Sequence, residues 1–248
     1  MLTLDFVLTS EELAEMSQIP ASSWFTRVKF ANGISPRCPE SSFLDSNHEM
    51  KKRMMLPWIR ENVAGKTVLD LFSANGAFAV ECALAGAKRV VGVEFDSGRI
   101  RCAEFLAKVV ARNGVTPPTF CLGDVYTLSQ SFTEPFDIVL CMGGLYHIAD
   151  PPYVLSQIRR VMKDKLIIQT SGILPGRKNK AMFYIRQDRT DRGLTSIRGG
   201  MGVWQFSVPC FQSMLTHAGL RVLADQQPAF WQRRRYPWYC AVVEQAAA

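Results

Sequence analysis

The chain has 248 residues, is 48% hydrophobic and carries a formal net charge of +7. That is enough apolar material for one large domain, with or without an appended lobe, and the absence of any run of 18 apolar residues predicts no membrane span. The charge is uneven: residues 1–150 hold 14 Lys/Arg against 17 Asp/Glu, and residues 151–248 hold 15 against 5. An anionic partner on the C-terminal half is therefore expected, the alternative being a solvated basic surface.

Met1-Leu2-Thr3-Leu4-Asp5 lacks a basic segment followed by an apolar one, so no signal peptide is expected. The seven cysteines, at 38, 82, 102, 121, 141, 210 and 240, form no CxxC pair. They fit reduced thiols of a cytoplasmic protein, and their spacing suggests no metal site.

Residues 1–20 read as a helical arm, with Ser10 as N-cap, Glu11 and Glu12 in the first turn, and Leu8, Leu13 and Met16 on the apolar side. Trp24 and Phe25 suit a lid or the core, and Asn32-Gly33 marks a turn. Residues 35–46 form an irregular connection; Ser46 to Asn62 then reads as a helix with Met50, Met54, Leu56 and Ile59 inward, kinked or interrupted by Pro57. Residues 1–62 are thus an N-terminal arm, and 63–248 the main domain.

From Lys66 strands and helices alternate. Strands are expected at 66–71, 89–95, 118–122, 136–142 and 164–170, with helices at 76–85, 97–113 and 151–162. Such βα alternation implies a parallel sheet with helices on both faces. Residues 171–206 are polar, basic and Gly-rich and read as an insertion or lid. A helix at 208–218, a strand at 220–226, a basic aromatic loop and a strand from Trp238 to Glu244 close the sheet with an antiparallel pair.

The chain is organised around Val68-Leu69-Asp70-Leu71-Phe72-Ser73-Ala74-Asn75-Gly76: a buried strand, a tight turn of small residues and the start of a helix. Asp70 ends the strand; a buried carboxylate needs donors or a cationic ligand nearby, and the structural alternative is an Asp bonding turn amides. Glu94 ends the next strand, 24 positions on, and suits a ribose diol. Asp124 follows the third strand and suits an amino donor on an adenine, or else is an ordinary helix cap. The turn has one Gly where dinucleotide sites carry three. A nucleoside without a pyrophosphate is favoured over NAD.

The order VLDLFSANGAFA, VVGVEFD, GDV and FDIVLCMGGLYHIADP resembles the class I S-adenosylmethionine-dependent methyltransferases over about residues 22–244. Gly144-Leu145-Tyr146-His147 before Pro151, Trp24-Phe25 with Asn32-Gly33, and Val208-Pro209 with Ala218-Gly219-Leu220 are similar to bacterial tRNA wobble-uridine carboxymethyl transferases and related methyltransferases of small metabolites. The resemblance implies a seven-stranded, doubly wound, mostly parallel sheet of order 3-2-1-4-5-7-6 with strand 7 antiparallel. It implies S-adenosyl-L-methionine held by Asp70, Phe72, Ser73, Ala74, Gly76, Glu94, Phe95, Asp124, Val125 and Met142. DLFSANG stands where the family carries DxGxGxG, so larger residues take the place of glycine at Phe72 and Ala74. The basic N-terminal motif that holds a carboxylated cofactor in the tRNA-modifying relatives has no match in residues 1–60, so ordinary methyl transfer is expected.

His147, just past the fourth strand, is the candidate base, since histidine ordinarily titrates near pH ~6.5; a loop-capping role is the alternative. Tyr146 lines the methyl or substrate pocket. Trp24, Tyr146, Arg177, Arg198 and Trp204 are the candidate substrate contacts, with Gly199-Gly200-Met201-Gly202 as a lid segment. The basic lid suggests an acidic group on the substrate, and Trp231 to Tyr239 interleaves aromatics and bases in a way that suits RNA or a packed hairpin loop. The expected function is methyl transfer to an oxygen or nitrogen of a small, acidic metabolite. The alternatives are a tRNA-modifying enzyme and a non-catalytic binding subunit of the same fold.

Overall fold

Short runs of β-branched and aliphatic residues build the central sheet. In the computed structural model, which describes residues 2–38, 42–171, 178–186, 201–226 and 238–246, seven strands follow the spatial order β10-β11-β7-β6-β3-β4-β5. They are β3 (Thr67–Leu71), β4 (Arg89–Glu94), β5 (Thr119–Leu122), β6 (Phe136–Met142), β7 (Met162–Ser171), β10 (Leu220–Gln226) and β11 (Trp238–Gln245). β11 runs antiparallel to both β10 and β7. In sheet order this is 3-2-1-4-5-7-6 with one reversed strand, as the resemblance implied. The chain divides into two compact units, Met1–Gly123 and Asp124–Ala248.

In the first unit β3, β4 and β5 pair in parallel, with Asp70 opposite Gly92 and Glu94 opposite Leu122. Helix α3 (Ala77–Leu84) follows β3 and α4 (Ser97–Arg112) follows β4. The apolar side of α4, from Cys102 and Phe105 to Val110, packs with Leu2, Leu4, Leu8, Val28 and Phe30 from the N-terminal arm. The arm is thus part of the core. Its helix α1 (Ser10–Gln18) is capped by Thr9, one residue before the expected Ser10, because Thr9 and Glu12 complete a reciprocal capping box. Glu12 is buried and also receives the Arg112 guanidinium at 2.8 Å. Burial raises its carboxyl pKa, and Arg112 with the Thr9 cap more than reverses that, leaving it below the usual range.

Helix α2 (Ser42–Asn62) starts four residues earlier than expected and runs through Pro57. Pro57 removes one helical hydrogen bond, but the buried Met54, Met55 and Ile59 hold the turn against the core. Phe120 explains two glycines: a Cβ on Gly92 or Gly76 would lie 2.4 or 2.6 Å from its ring.

In the second unit the short helix α5 (Leu128–Ser131) precedes β6, which pairs with β7 in parallel, and α6 (Pro151–Val161) connects the two strands. Helix α7 (Val208–His217) precedes β10; its Phe211 ring lies 5.8 Å from Tyr239 on β11, and Gln212 donates to the Tyr239 hydroxyl at 3.0 Å. The stretch expected as an insertion contains an antiparallel hairpin, β8 (Ala181–Arg186) with β9 (Met201–Phe206). Short strands β1 (Leu2–Thr3) and β2 (Val28–Lys29) pair in the arm. No helix among the described residues is long and apolar enough to cross a membrane.

Candidate active site

In the turn after β3, Phe72 has φ 55° and Ala74 φ 49°, both left-handed, and Gly76 has φ 75°. These are the three positions that carry glycine in the DxGxGxG pattern, and all three take the left-handed conformation that glycine favours although two of them hold L-residues. Each L-residue so placed costs about 1 kcal/mol or more, which neighbouring contacts must offset. One such contact is Asn75, fully buried. Its Oδ1 accepts from Thr26 N at 2.8 Å and its Nδ2 donates to Thr26 O at 2.9 Å, pinning the arm to the turn.

Two buried carboxylates flank this turn. Asp70 is 1% exposed and its Oδ2 has no hydrogen-bond partner; the neighbouring Ser73 Oγ is likewise buried and unpartnered. Burial pushes the Asp70 pKa up to about 8, with the Ala79 amide and Lys51 opposing and Glu94 adding to the rise. Glu94 is also raised, chiefly by burial, against Arg99 and two amides. Its Oε2 accepts from Ala74 N at 2.8 Å, and its Oε1 accepts from Asp96 N at 3.2 Å and lies 3.5 Å from Arg99. Phe95, half-buried, has the Arg99 guanidinium 5.9 Å from its ring, and Phe25 has it at 4.8 Å. The orphaned Asp70 and Ser73 atoms suit a ligand bringing a cationic amine and hydroxyls, and Glu94 retains acceptor capacity for a diol.

Trp24 is 2% exposed and lies edge-on to Phe105, with ring centroids 6.1 Å apart. The structure thus places Trp24 in the core cluster of the first unit, packed with the apolar side of α4. Arg99 and Asn75 were absent from the expected site set. Asn75 belongs to the turn after β3, and Arg99 sits five positions after Glu94, on the first turn of α4.

In the second unit Asp124 is exposed and caps a 3-10 turn at Val125–Thr127, accepting from Tyr126 N at 2.9 Å. The structure thus shows its capping role. Val125 is buried beside it, and Met142 is buried at the end of β6. The Tyr126 hydroxyl accepts from Ala149 N at 2.8 Å and Asp150 N at 3.1 Å, fixing the loop after β6.

That loop carries Tyr146 and His147, with ring centroids 4.2 Å apart, on the 3-10 turn Leu145–His147. His147 Nδ1 lies 3.2 Å from Gly202 O on β9. A carbonyl can only accept, so Nδ1 carries the proton, and in the neutral ring the basic lone pair is on Nε2. Trp204 Nε1 donates to Ile148 O at 3.0 Å, and its ring stacks on Phe206 and tilts against Phe183. Two bonds thus tie the hairpin to the loop. Arg177, Arg198 and the 231–237 segment lie outside the described residues. Among the described residues no group of three or more His, Cys, Asp or Glu could hold a metal ion.

A parallel α/β sheet with a left-handed turn after its first central strand and a buried acid ending the second defines a nucleoside-binding fold of the doubly wound class. A family model described as a methyltransferase domain matches residues 62–188, just over half the chain. The chain belongs to this family, within the class I S-adenosylmethionine-dependent methyltransferases. A tRNA U34 carboxymethyltransferase of Dichelobacter nodosus is 40% identical over 114 residues, 44% of this chain and 34% of that protein. A ubiquinone biosynthesis O-methyltransferase of Pseudomonas syringae pv. tomato is 32% identical over 108 residues, 43% and 44% of the two chains. The matched stretch is therefore less than half the length of either relative. Among solved structures, the N-terminal domain of EvdMO1 in the presence of SAH and D-fucose superposes with TM-score 0.67 at 21% identity, covering 97% of this chain and 98% of that one.

Proposed function

We propose that the protein transfers a methyl group from S-adenosylmethionine to an oxygen or nitrogen of a small metabolite. The observation that carries this reading is the tethered wall of the second unit. Tyr146 and His147 stand on a loop roofed by the β8–β9 hairpin through the His147–Gly202 and Trp204–Ile148 bonds. An aromatic, roofed wall suits a compact acceptor shielded from water.

S-adenosylmethionine supplies an activated methyl group on a sulfonium. Asp70 and Ser73 offer unpartnered acceptors to its amino-acid portion, and Glu94 accepts from its ribose hydroxyls. His147 takes the acceptor proton on Nε2 while Nδ1–H stays bonded to Gly202, and Tyr146 shapes the acceptor's approach. An acidic group on the substrate would be met by the basic insertion that contains Arg177 and Arg198.

Calorimetry with S-adenosylhomocysteine, followed by transfer of labelled methyl to a metabolite panel, tests the proposal. Absence of cofactor binding would refute it. The 40% identical tRNA-modifying relative and the basic C-terminal half favour a second reading, methylation or carboxymethylation of a wobble uridine. That reading requires a salt-dependent association with tRNA, because phosphate contacts release counterions.

A further inference from the structure

Among the described residues of the second unit, two buried side chains carry polar atoms without a hydrogen-bond partner, the Thr170 hydroxyl and both heads of the larger Gln169 carboxamide. Gln169 sits on β7 two residues before the strand's end, it is 0% exposed, and neither its Oε1 nor its Nε2 has a hydrogen-bond partner. Leucine or isoleucine would suit the place better: Leu166, Ile167 and Ile168 just before it are fully buried. A carboxamide buried with both heads unpaired weakens the fold, and such a group in a native protein calls for an explanation, a bound molecule that supplies the missing bonds being one.

Register gives its face. Thr170 pairs with Tyr239, whose ring and hydroxyl engage α7, so Thr170 lies on the α7 side. Successive strand residues alternate, so Gln169 lies on the opposite side, beside its register partners Met142 and Cys240. The turn bearing Tyr146 and His147 lies against β7. Gln169 is therefore at the carboxyl end of its strand, where open α/β sheets receive ligands.

We propose that Gln169 determines acceptor specificity by holding a neutral hydroxyl adjacent to the atom that is methylated, so that the preferred substrates are vicinal diols. This rests on the small-molecule reading above. The chemistry follows from the side chain: a carboxamide has a donor and an acceptor side by side and no charge. It satisfies a hydroxyl, which both donates and accepts, and does little for a carboxylate or phosphate. A site built to pair a hydroxyl rejects an analogue lacking it far more strongly than an apolar pocket rejects a missing methylene.

The test compares the wild type with Gln169→Leu and with Gln169→Met, the latter preserving length where the former packs poorly. The probes are catechol against phenol, and methyl β-D-galactoside against its 2-deoxy and 3-deoxy analogues, with labelled S-adenosylmethionine as donor. In the wild type kcat/KM for at least one diol exceeds that of its monohydroxy or deoxy analogue by about 10–100-fold. In the variants the ratio falls to within about twofold. S-adenosylhomocysteine affinity is unchanged, and the ligand-free melting temperature stays level or rises by about 3 °C.

Variants that keep the diol preference, or that both melt well below the wild type, overturn the assignment while leaving methyl transfer to small hydroxyl compounds intact. Equal turnover of diol and analogue by the wild type does the same. Cofactor binding with no methylation of any probe refutes the small-molecule hydroxyl reading, and the assignment with it.

Discussion

Replacing Asp70 with asparagine should change the pH dependence of stability in a way that isolates one buried carboxyl. The group ordinarily titrates at 3.8, and burial in the fold lifts it to about 8. Between those values the native state keeps the proton and the unfolded chain has lost it. The unfolded state therefore binds fewer protons, and stability falls as pH rises through the window, levelling off above it. The slope for one proton is about 1.4 kcal/mol per pH unit. From pH 5 to pH 7 the wild type should lose about 2–3 kcal/mol relative to Asp70→Asn. Asparagine is nearly isosteric with the protonated acid and carries no titration. Glu94, also raised, contributes to both proteins and cancels in the difference. Urea unfolding at pH 5, 6, 7 and 8, ligand-free, measures it. Parallel stability curves for the two proteins would show that Asp70 is ionised in the native state, and the account of the turn as a dry acidic wall awaiting a cation would fail.

Three further outcomes follow from the same geometry. Ala74→Gly relieves a left-handed alanine and should stabilise the protein by about 0.5–1.5 kcal/mol, seen as a rise in melting temperature; a fall would mean that the Ala74 methyl contributes more by packing than its backbone costs. Asn75→Ala removes both bonds to Thr26 and strands a buried N–H and C=O, so a loss of about 2–4 kcal/mol and faster amide exchange over residues 20–30 are expected; unchanged exchange there would show that the core contacts of the arm suffice. His147→Asn keeps a donor for Gly202 but loses the basic nitrogen. It should lower kcat by about 100-fold or more with S-adenosylhomocysteine affinity unaltered, and near-wild-type turnover would remove His147 from proton transfer.

Much of the fold was legible because its signals are local. Val68 to Leu71 and Arg89 to Glu94 are short apolar runs closed by turns, and α4 repeats its apolar residues at helical spacing. The strand boundaries follow from those patterns within a residue or two. Helix starts were less legible: Thr9 takes the N-cap from Ser10 because the reciprocal bond with Glu12 depends on a spacing that Ser10 lacks. Pro57 reads as a breaker, and burial on the inner side of α2 outweighs it. Trp24 shows the same limit from the other direction. An aromatic residue early in the chain fits a lid as well as a core, and only its placement against Phe105 separates the two.

By itself the sequence determined the alternating βα order, the turn after the first central strand, and the acids at 70 and 94, since each is set by residue types at short range. Tertiary structure decided what those residues experience. Phe72 and Ala74 take glycine's backbone conformation because the turn is held from outside, by Asn75 on Thr26. Burial withdraws water from Asp70 and pushes its carboxyl pKa up to about 8, which no local pattern records. His147 has its basic lone pair on Nε2 because a carbonyl 55 residues away accepts from Nδ1. Gln169 looks like an ordinary polar residue at a strand's end until its neighbours exclude water and leave both of its heads unpaired. Composition and spacing fix which groups are present, while burial and long-range partners fix their charge, tautomer and cost.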